Sequence, residues 1–181
     1  MERLLDAKVL AIHRALDEAG ISHAFGGAIA LAYWGVPRGT EDIDLNVFVP
    51  SSQARRCLAA LAGLGVEEGD PRKTAPGPDQ RVWHWEHTPL HVFFAYHAFH
   101  QSCARRVRRV PFADAEIPVL SAEDIAVFKT IYDRPKDRSE VREVLLCRGE
   151  RFDTGYAQGW LERLLGGEDP RTEAFRDAIG S

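Results

Sequence analysis

The feature that most constrains this chain is a glycine pair followed, within residues 25–48, by two acidic residues. Gly26 and Gly27 precede an apolar segment that predicts a helix, and Asp42 and Asp44 lie in a segment that predicts a strand. Successive strand residues point to opposite faces, so the two aspartates share a face and repel each other unless a cation lies between them. Glycines let backbone amides approach an anion where a helix begins. The pattern therefore predicts a divalent metal and a phosphorylated ligand held side by side.

The composition is that of an ordinary globular protein. The chain has 181 residues, 45% of them hydrophobic and 28% charged, which fits one domain with a small helical appendage. No apolar run is long enough to span a bilayer, and residues 1–6 lack the layout of a signal peptide, so we expect a cytoplasmic protein with no membrane association. The cysteines are three and widely spaced, which indicates reduced thiols.

Apolar spacing and turn residues predict two parts. Residues 1–120 form an α/β core, and residues 121–181 form a helical C-terminal part. Within the core we expect helices over 4–19, 28–34 and 54–64, a mobile loop over 67–80, and strands over 21–25, 40–49, 81–87, 90–96, 107–112 and 117–120. The C-terminal part should contain helices over 122–132, 137–147, 154–165 and 171–179, the first of them capped by Ser121.

The glycine pair, the helix after it, and the segment Arg38-Gly39-Thr40-Glu41-Asp42-Ile43-Asp44-Leu45 resemble the signature of the DNA polymerase β-type nucleotidyltransferase superfamily. The resemblance implies an α+β fold, with a mixed β-sheet flanked by helices and a helical C-terminal part. It also implies Mg²⁺ dependence and transfer of a nucleotide from a nucleoside triphosphate (NTP), with release of pyrophosphate. By this resemblance Asp42 and Asp44 bind the metal, and Gly26 and Gly27 cradle phosphates. Arg38 and Thr40 are weaker candidates for contacts with phosphate or substrate.

A second resemblance narrows the group. Residues 120–129, which end at Lys129, lead to the run Arg134-Pro135-Lys136-Asp137-Arg138-Ser139-Glu140-Val141, and this is similar to a pattern in small bacterial AbiEii/MenT-like nucleotidyltransferases. In that pattern Glu140 stands where an aspartate is usual. The resemblance implies that Lys129 points toward the triphosphate, that tRNA is a possible acceptor, and that an antitoxin is a possible partner. The plainer interpretation of Lys129 is an ordinary surface lysine.

The catalytic set implied by the resemblance is incomplete. The superfamily has a third carboxylate on a later strand, and the matching stretch, residues 89–94, offers His91 instead. His91 is a possible base, because histidine exchanges protons near neutral pH. Alternatively, Glu86 reaches the site from the preceding strand, or the fold is a catalytically impaired binding or regulatory module. A further alternative is an enzyme that modifies a small molecule such as an antibiotic.

Two other groups of residues, one of histidines and one of basic residues, each have a functional and a plainer interpretation. The histidines at 84, 87, 91, 97 and 100 do not have the spacing of a zinc site, and a chance cluster on a hairpin is the better interpretation. The arginines at 105, 106, 108 and 109, together with Arg134, Lys136, Arg138 and Arg142, form either an RNA-docking patch or a solvated face that balances nearby acids.

Overall fold

A computed structural model describes residues 4–69 and 77–180 of the chain. The described residues divide into two compact units. The first unit comprises residues 4–29 and 39–119, without 70–76, and the second comprises residues 30–38 and 120–180.

The first unit is built on a seven-stranded sheet whose strands lie in the order β3-β4-β5-β2-β1-β7-β6. The strands are β1 (His23–Phe25), β2 (Ile43–Val47), β3 (Val66–Glu68), β4 (Gln80–Trp85), β5 (Thr88–Phe94), β6 (Arg108–Phe112) and β7 (Ala115–Val119). The β2–β5 and β1–β7 pairs are parallel and the remaining pairs antiparallel. This confirms the expected mixed sheet.

The helices of the first unit are α1 (Leu5–Glu18), α3 (Ala54–Ala62) and α4 (Ala98–Arg106). Residues Val9, Ile12 and Leu16 of α1 recur at helical spacing and are fully buried, so one stripe of the helix is the part that packs. On β2 the alternate residues Ile43, Leu45 and Val47 are buried, as they are on the neighbouring strand at Leu90, Val92 and Phe94. These residues form the apolar face of the sheet, and the residues between them point to the opposite face.

The second unit is helical. Helix α2 (Gly27–Trp34) begins in the first unit and continues into the second, which also contains α5 (Ala122–Tyr132), α6 (Pro135–Arg148), α7 (Thr154–Leu165) and α8 (Pro170–Ile179). Ser121 caps α5, since its hydroxyl accepts a hydrogen bond from the Asp124 amide at 3.2 Å. The buried Asp124 carboxylate in turn accepts hydrogen bonds from Ser121 and Tyr156. The capped start predicted at Ser121 is therefore confirmed.

Most of the predicted helices and strands are present, with end shifts of a few residues. Helix α4 and the short strand β3 were not predicted from the sequence. Residues 67–68, which were assigned to a loop, belong to β3, and residues 70–76 of that loop lie outside the described part of the chain. Among the residues that the structure describes, no helix is long and apolar enough to cross a membrane.

Candidate active site

The glycine turn and the second aspartate lie directly against each other. The Gly26 N–H donates to the Asp44 carbonyl oxygen at 2.9 Å. Gly27 has a φ of +49°, and a β-carbon added to it would lie 1.7 Å from Oδ2 of Asp44. Only glycine fits here, because the backbone conformation and the close carboxylate both exclude a side chain. The Gly26 amide thus closes the turn on β2, and the N–H groups available to an anion are those of the first turn of α2.

Asp42 lies just before β2 and is held by its own loop. The Thr40 hydroxyl donates to the Asp42 carboxylate and also approaches the Asp42 carbonyl oxygen at 3.2 Å. The Asp42 side chain is 45% exposed. Thr40 therefore orients one of the two predicted metal ligands, and this carboxylate stays open to solvent.

His91 lies beside both aspartates. It is the direct cross-strand neighbour of Asp44 in the parallel β2–β5 pair. Its Nε2 atom lies 3.8 Å from Oδ2 of Asp42. Paired residues share a face of the sheet, so His91 points to the same side as Asp44. Two aspartates and one histidine thus converge on the face opposite the apolar core.

The alternative residue Glu86 is engaged elsewhere. It lies in the turn between β4 and β5, and its carboxylate forms a 2.8 Å ion pair with the buried Lys8 ammonium. Lys8 also donates to the Thr88 hydroxyl at 2.9 Å. Thr88 is two residues from Leu90 and therefore belongs to the apolar face, opposite His91. His91 is consequently the residue that neighbours the aspartates, and Glu86 serves to balance Lys8.

The donor set suits magnesium better than zinc. Among the described residues, no group of three or more histidine, cysteine, aspartate or glutamate side chains is arranged to hold a metal ion. Magnesium does not need such a cage, because it usually takes one or two carboxylates and completes its shell with water and substrate phosphates. The oxygens of Asp42 and Asp44, with a glycine turn against them, fit that requirement.

In the second unit, Lys129 is the centre of a buried ion network. Its ammonium donates to Asp137 at 3.1 Å and also to Glu140, and Lys129 is only 6% exposed. Asp137 also accepts from Arg134, and Glu140 accepts from Nε of Arg38 at 2.8 Å. Lys129 is therefore not an ordinary surface lysine. Its predicted role toward a triphosphate stays a prediction.

The network keeps both of its carboxylates charged. Burial alone would raise the pKa of Asp137, but the hydrogen bonds from Arg134 and Lys129 outweigh it and hold that pKa below its usual value. The same balance lowers the pKa of Glu140, through Lys129 and Arg38. Asp137 and Glu140, three residues apart, lie on one face of α6, and Arg134 immediately precedes the helix.

The predicted basic patch is partly neutralised. Arg134 pairs with Asp137, and Arg138 pairs with Asp133 at 2.6 Å. Arg105 and Arg106 lie in the last turn of α4, where positive charge offsets the exposed carbonyls of the helix end. These contacts favour a structural role for part of the patch, and RNA docking stays a prediction.

Comparison with solved structures supports the fold. The chain superposes on the crystal structure of ANT(2″)-Ia in complex with adenylyl-2″-tobramycin with a TM-score of 0.64 and 17% identity, over 95% of this chain and 97% of that one. The solution structure of the antibiotic-resistance factor ANT(2″)-Ia gives 0.63 and 16%, over 97% and 90%. The lincosamide antibiotic adenylyltransferase LnuA gives 0.55 and 12%, over 79% and 98%.

No protein-family model and no curated protein matches the chain. At identities this low the structural likeness establishes the fold, which is that of the nucleotidyltransferases. The expected fold class is thus confirmed, whereas the narrower resemblance to AbiEii/MenT-like proteins stays a prediction.

Proposed function

On this nucleotidyltransferase fold, we propose that the chain transfers a nucleotide from an NTP to an acceptor hydroxyl with Mg²⁺ as cofactor. The observation that carries the proposal is the contact between Gly27 and Asp44. It joins the phosphate-binding turn and the metal-binding carboxylate that the sequence predicts in separate segments. Asp42 and Asp44 would hold the ion, and the first turn of α2, with Gly27 at its start, would bind the phosphates.

The residues present account for the chemistry of the transfer. The acceptor oxygen bonds to the α-phosphorus, the bond from that phosphorus to the bridging oxygen breaks, and pyrophosphate leaves. The hydroxyl proton passes to Nε2 of His91. The Asp42 carboxylate, 3.8 Å from that atom, stabilises the imidazolium that forms. Bound Mg²⁺ supplies charge neutralisation on the phosphates.

Nucleotide binding tests the first half of the proposal. Isothermal titration of the chain with each NTP in the presence of Mg²⁺ should give binding that is lost in an Asp42→Asn/Asp44→Asn double variant. The control is Asp114→Asn, which changes an exposed aspartate in the β6–β7 turn. Equal affinity in the double variant and the control would overturn the proposal.

Catalysis tests the second half. The His91→Gln variant should bind Mg²⁺ and NTP like the wild type, but lose about 10²- to 10⁴-fold in kcat, the usual contribution of a general base. His87→Gln, in the exposed turn of the same hairpin, is the matched control. Nucleotide binding without any transfer in the wild type would instead support the impaired binding module.

Two classes of acceptor remain to be separated. ANT(2″)-Ia was solved with adenylylated tobramycin and LnuA with lincomycin, which favours a small molecule for this chain. The sequence resemblance instead favours tRNA, with an antitoxin as partner. Incubation with α-labelled NTPs and, in separate reactions, tobramycin, lincomycin or total tRNA shows which product carries the label.

A further inference from the structure

The order of the strands places the glycine turn and His91 on opposite sides of β2, the strand that carries Asp44. Gly26 and Gly27 follow β1, which borders β2 on one side, and His91 lies on β5, which borders β2 on the other. In nucleotidyl transfer the attacking and leaving oxygens lie roughly in line on opposite sides of the phosphorus. With the phosphates at the glycine turn, the acceptor must therefore approach over β5 and the strands beyond it.

Among the residues that the structure describes, the side chains on the sheet face beyond β5 are half-buried or exposed. Val82 pairs with His91, and His84 pairs with Pro89, so Val82 and His84 point to the same face as the aspartates. On the next strand Glu67 pairs with His84 and points the same way. Val82 and Pro89 are half-buried, whereas His84 and Glu67 are exposed. The alternate residues of β4, Trp83 and Trp85, are buried in the core.

The His84 side chain is held in place on this face. A β-carbon added at Gly69 would lie 3.0 Å from two atoms of the His84 ring and 2.5 Å from the Val82 carbonyl oxygen. The ring therefore lies over the backbone of Gly69, whose N–H donates to that carbonyl at 2.9 Å. The His84 imidazole thus lies against the backbone of Gly69, and the exposed Glu67, its partner in the strand pair, lies on the same face of the sheet.

From this arrangement we propose that this face of β5, β4 and β3 binds the acceptor, and that Glu67 and His84 determine its specificity. The proposal rests on the proposed function. The acceptor is a small hydroxylated molecule that carries a protonated amine. Val82 and Pro89 pack against its body, and Glu67 binds its amine. Glu67 lies two strands from His91, at about 4.8 Å per strand, and two residues further along, at about 3.4 Å per residue, so the amine lies about 12 Å from the hydroxyl beside His91.

Charge disfavours a nucleic-acid acceptor on the same face. RNA would bring its phosphates toward Glu67, and like charges repel. A cationic small molecule is attracted by the same carboxylate.

The test compares tobramycin with per-N-acetylated tobramycin, which keeps the hydroxyl groups but loses the positive charges. Titration of either compound into the protein holding Mg²⁺ and a non-hydrolysable ATP analogue measures binding without turnover. The wild type should bind tobramycin at least tenfold more tightly than the acetylated compound. Glu67→Gln should weaken tobramycin binding about tenfold, raise KM with kcat unchanged, and leave nucleotide affinity as it is.

Glu68→Gln is the matched control, because Glu68 is the exposed neighbour that points to the other face of β3. The inference is overturned if Glu67→Gln and Glu68→Gln behave alike, or if a protein that binds Mg²⁺ and the nucleotide analogue does not bind tobramycin. If the wild type does not bind the nucleotide, the proposed function is overturned instead. Failure of the proposed function and failure of the acceptor-site inference are therefore distinguishable.

Discussion

At the scale of single residues, the site depends on the absence of a side chain at Gly27. The positive φ and the 1.7 Å separation between an added β-carbon and Asp44 Oδ2 act together. A substitution here strains the backbone and displaces the Asp44 carboxylate, a proposed metal ligand, at the same time.

We expect Gly27→Ala to lower the free energy of unfolding by about 2 kcal/mol or more, because the overlap adds to the cost of a left-handed alanine. Nucleotide binding should be lost as well, since Asp44 must move. Urea unfolding and calorimetric titration measure the two effects. Gly63→Ala is the control, because Gly63 has a φ of −63° and nothing within 4 Å of an added β-carbon. Similar results for the two variants would contradict the close contact.

At the scale of elements, the second unit is connected by charge as well as by apolar packing. Lys129 of α5 joins Asp137 and Glu140 of α6, and Glu140 in turn binds Arg38. Asp137 is fully buried, so its carboxylate depends on the charged groups that contact it, and Lys129 is one of them. Without it, each of the two carboxylates would lose a charged partner in a poorly solvated place.

We expect Lys129→Met to destabilise the protein by about 3–5 kcal/mol, the usual cost of removing one partner of a buried ion pair. Urea unfolding followed by circular dichroism provides the measurement. Arg138→Ala, which removes an exposed ion pair with Asp133 at the start of the same helix, should change the stability little. A wild-type stability for Lys129→Met, together with lost NTP binding, would show that this lysine acts on the triphosphate and not on the fold.

At the scale of the whole molecule, buried histidines make stability depend on pH. His23 on β1 donates through Nδ1 to the Ile21 carbonyl oxygen at 2.8 Å, and its Nε2 lies 3.0 Å from Nδ1 of His13. A carbonyl can only accept, so Nδ1 of His23 carries the proton, and its unprotonated Nε2 accepts a hydrogen bond from Nδ1–H of His13. Burial lowers the pKa of His23 to about 4 and also lowers that of His13. Folding therefore favours the neutral form of His23.

The sign of the pH effect follows from linkage. Below about pH 6.5 the unfolded chain takes up a proton at position 23 that the folded chain does not, until the pH nears 4. We expect His23 to contribute stability above pH 6.5 and to lose it progressively between pH 6.5 and 4, by about 3 kcal/mol at most. Urea midpoints at pH 7.5, 6 and 5 measure this loss.

The His23→Gln variant should show a weaker loss of stability between pH 7.5 and 5, since glutamine does not titrate. His87→Gln, at an exposed position, should retain the wild-type slope. Asp137 and Glu140, whose pKa values are lowered in the folded protein, affect stability at a lower pH than His23 does. The stability that they contribute is lost only as the pH falls below their pKa values in the unfolded chain and through those in the folded protein. A His23→Gln slope equal to that of the wild type would contradict the buried, neutral histidine.

The sequence by itself predicted most helices and strands and the segments that carry the candidate site, and its family resemblance implied the mixed sheet. Local spacing is sufficient for the helices, strands and site segments, because apolar periodicity, glycine turns and the alternation around Asp42 and Asp44 are properties of neighbouring residues. Strand β3 was not predicted, because a strand of three residues is too short to show a periodic pattern. Helix α4 was not predicted, because it lacks a continuous apolar stripe. The sequence therefore also missed the pairing of Glu67 with His84.

Only the tertiary structure decided which distant residues meet. The parallel register of β2 and β5 places His91 beside Asp44, whereas the ion pair with Lys8 takes up Glu86. The packing of α5 on α6 likewise places Lys129 at the centre of a buried ion network, where the sequence alone also allowed a surface lysine. The physical reason is that register and burial depend on contacts between segments far apart in the chain, and no local pattern records which partner a charged side chain will find.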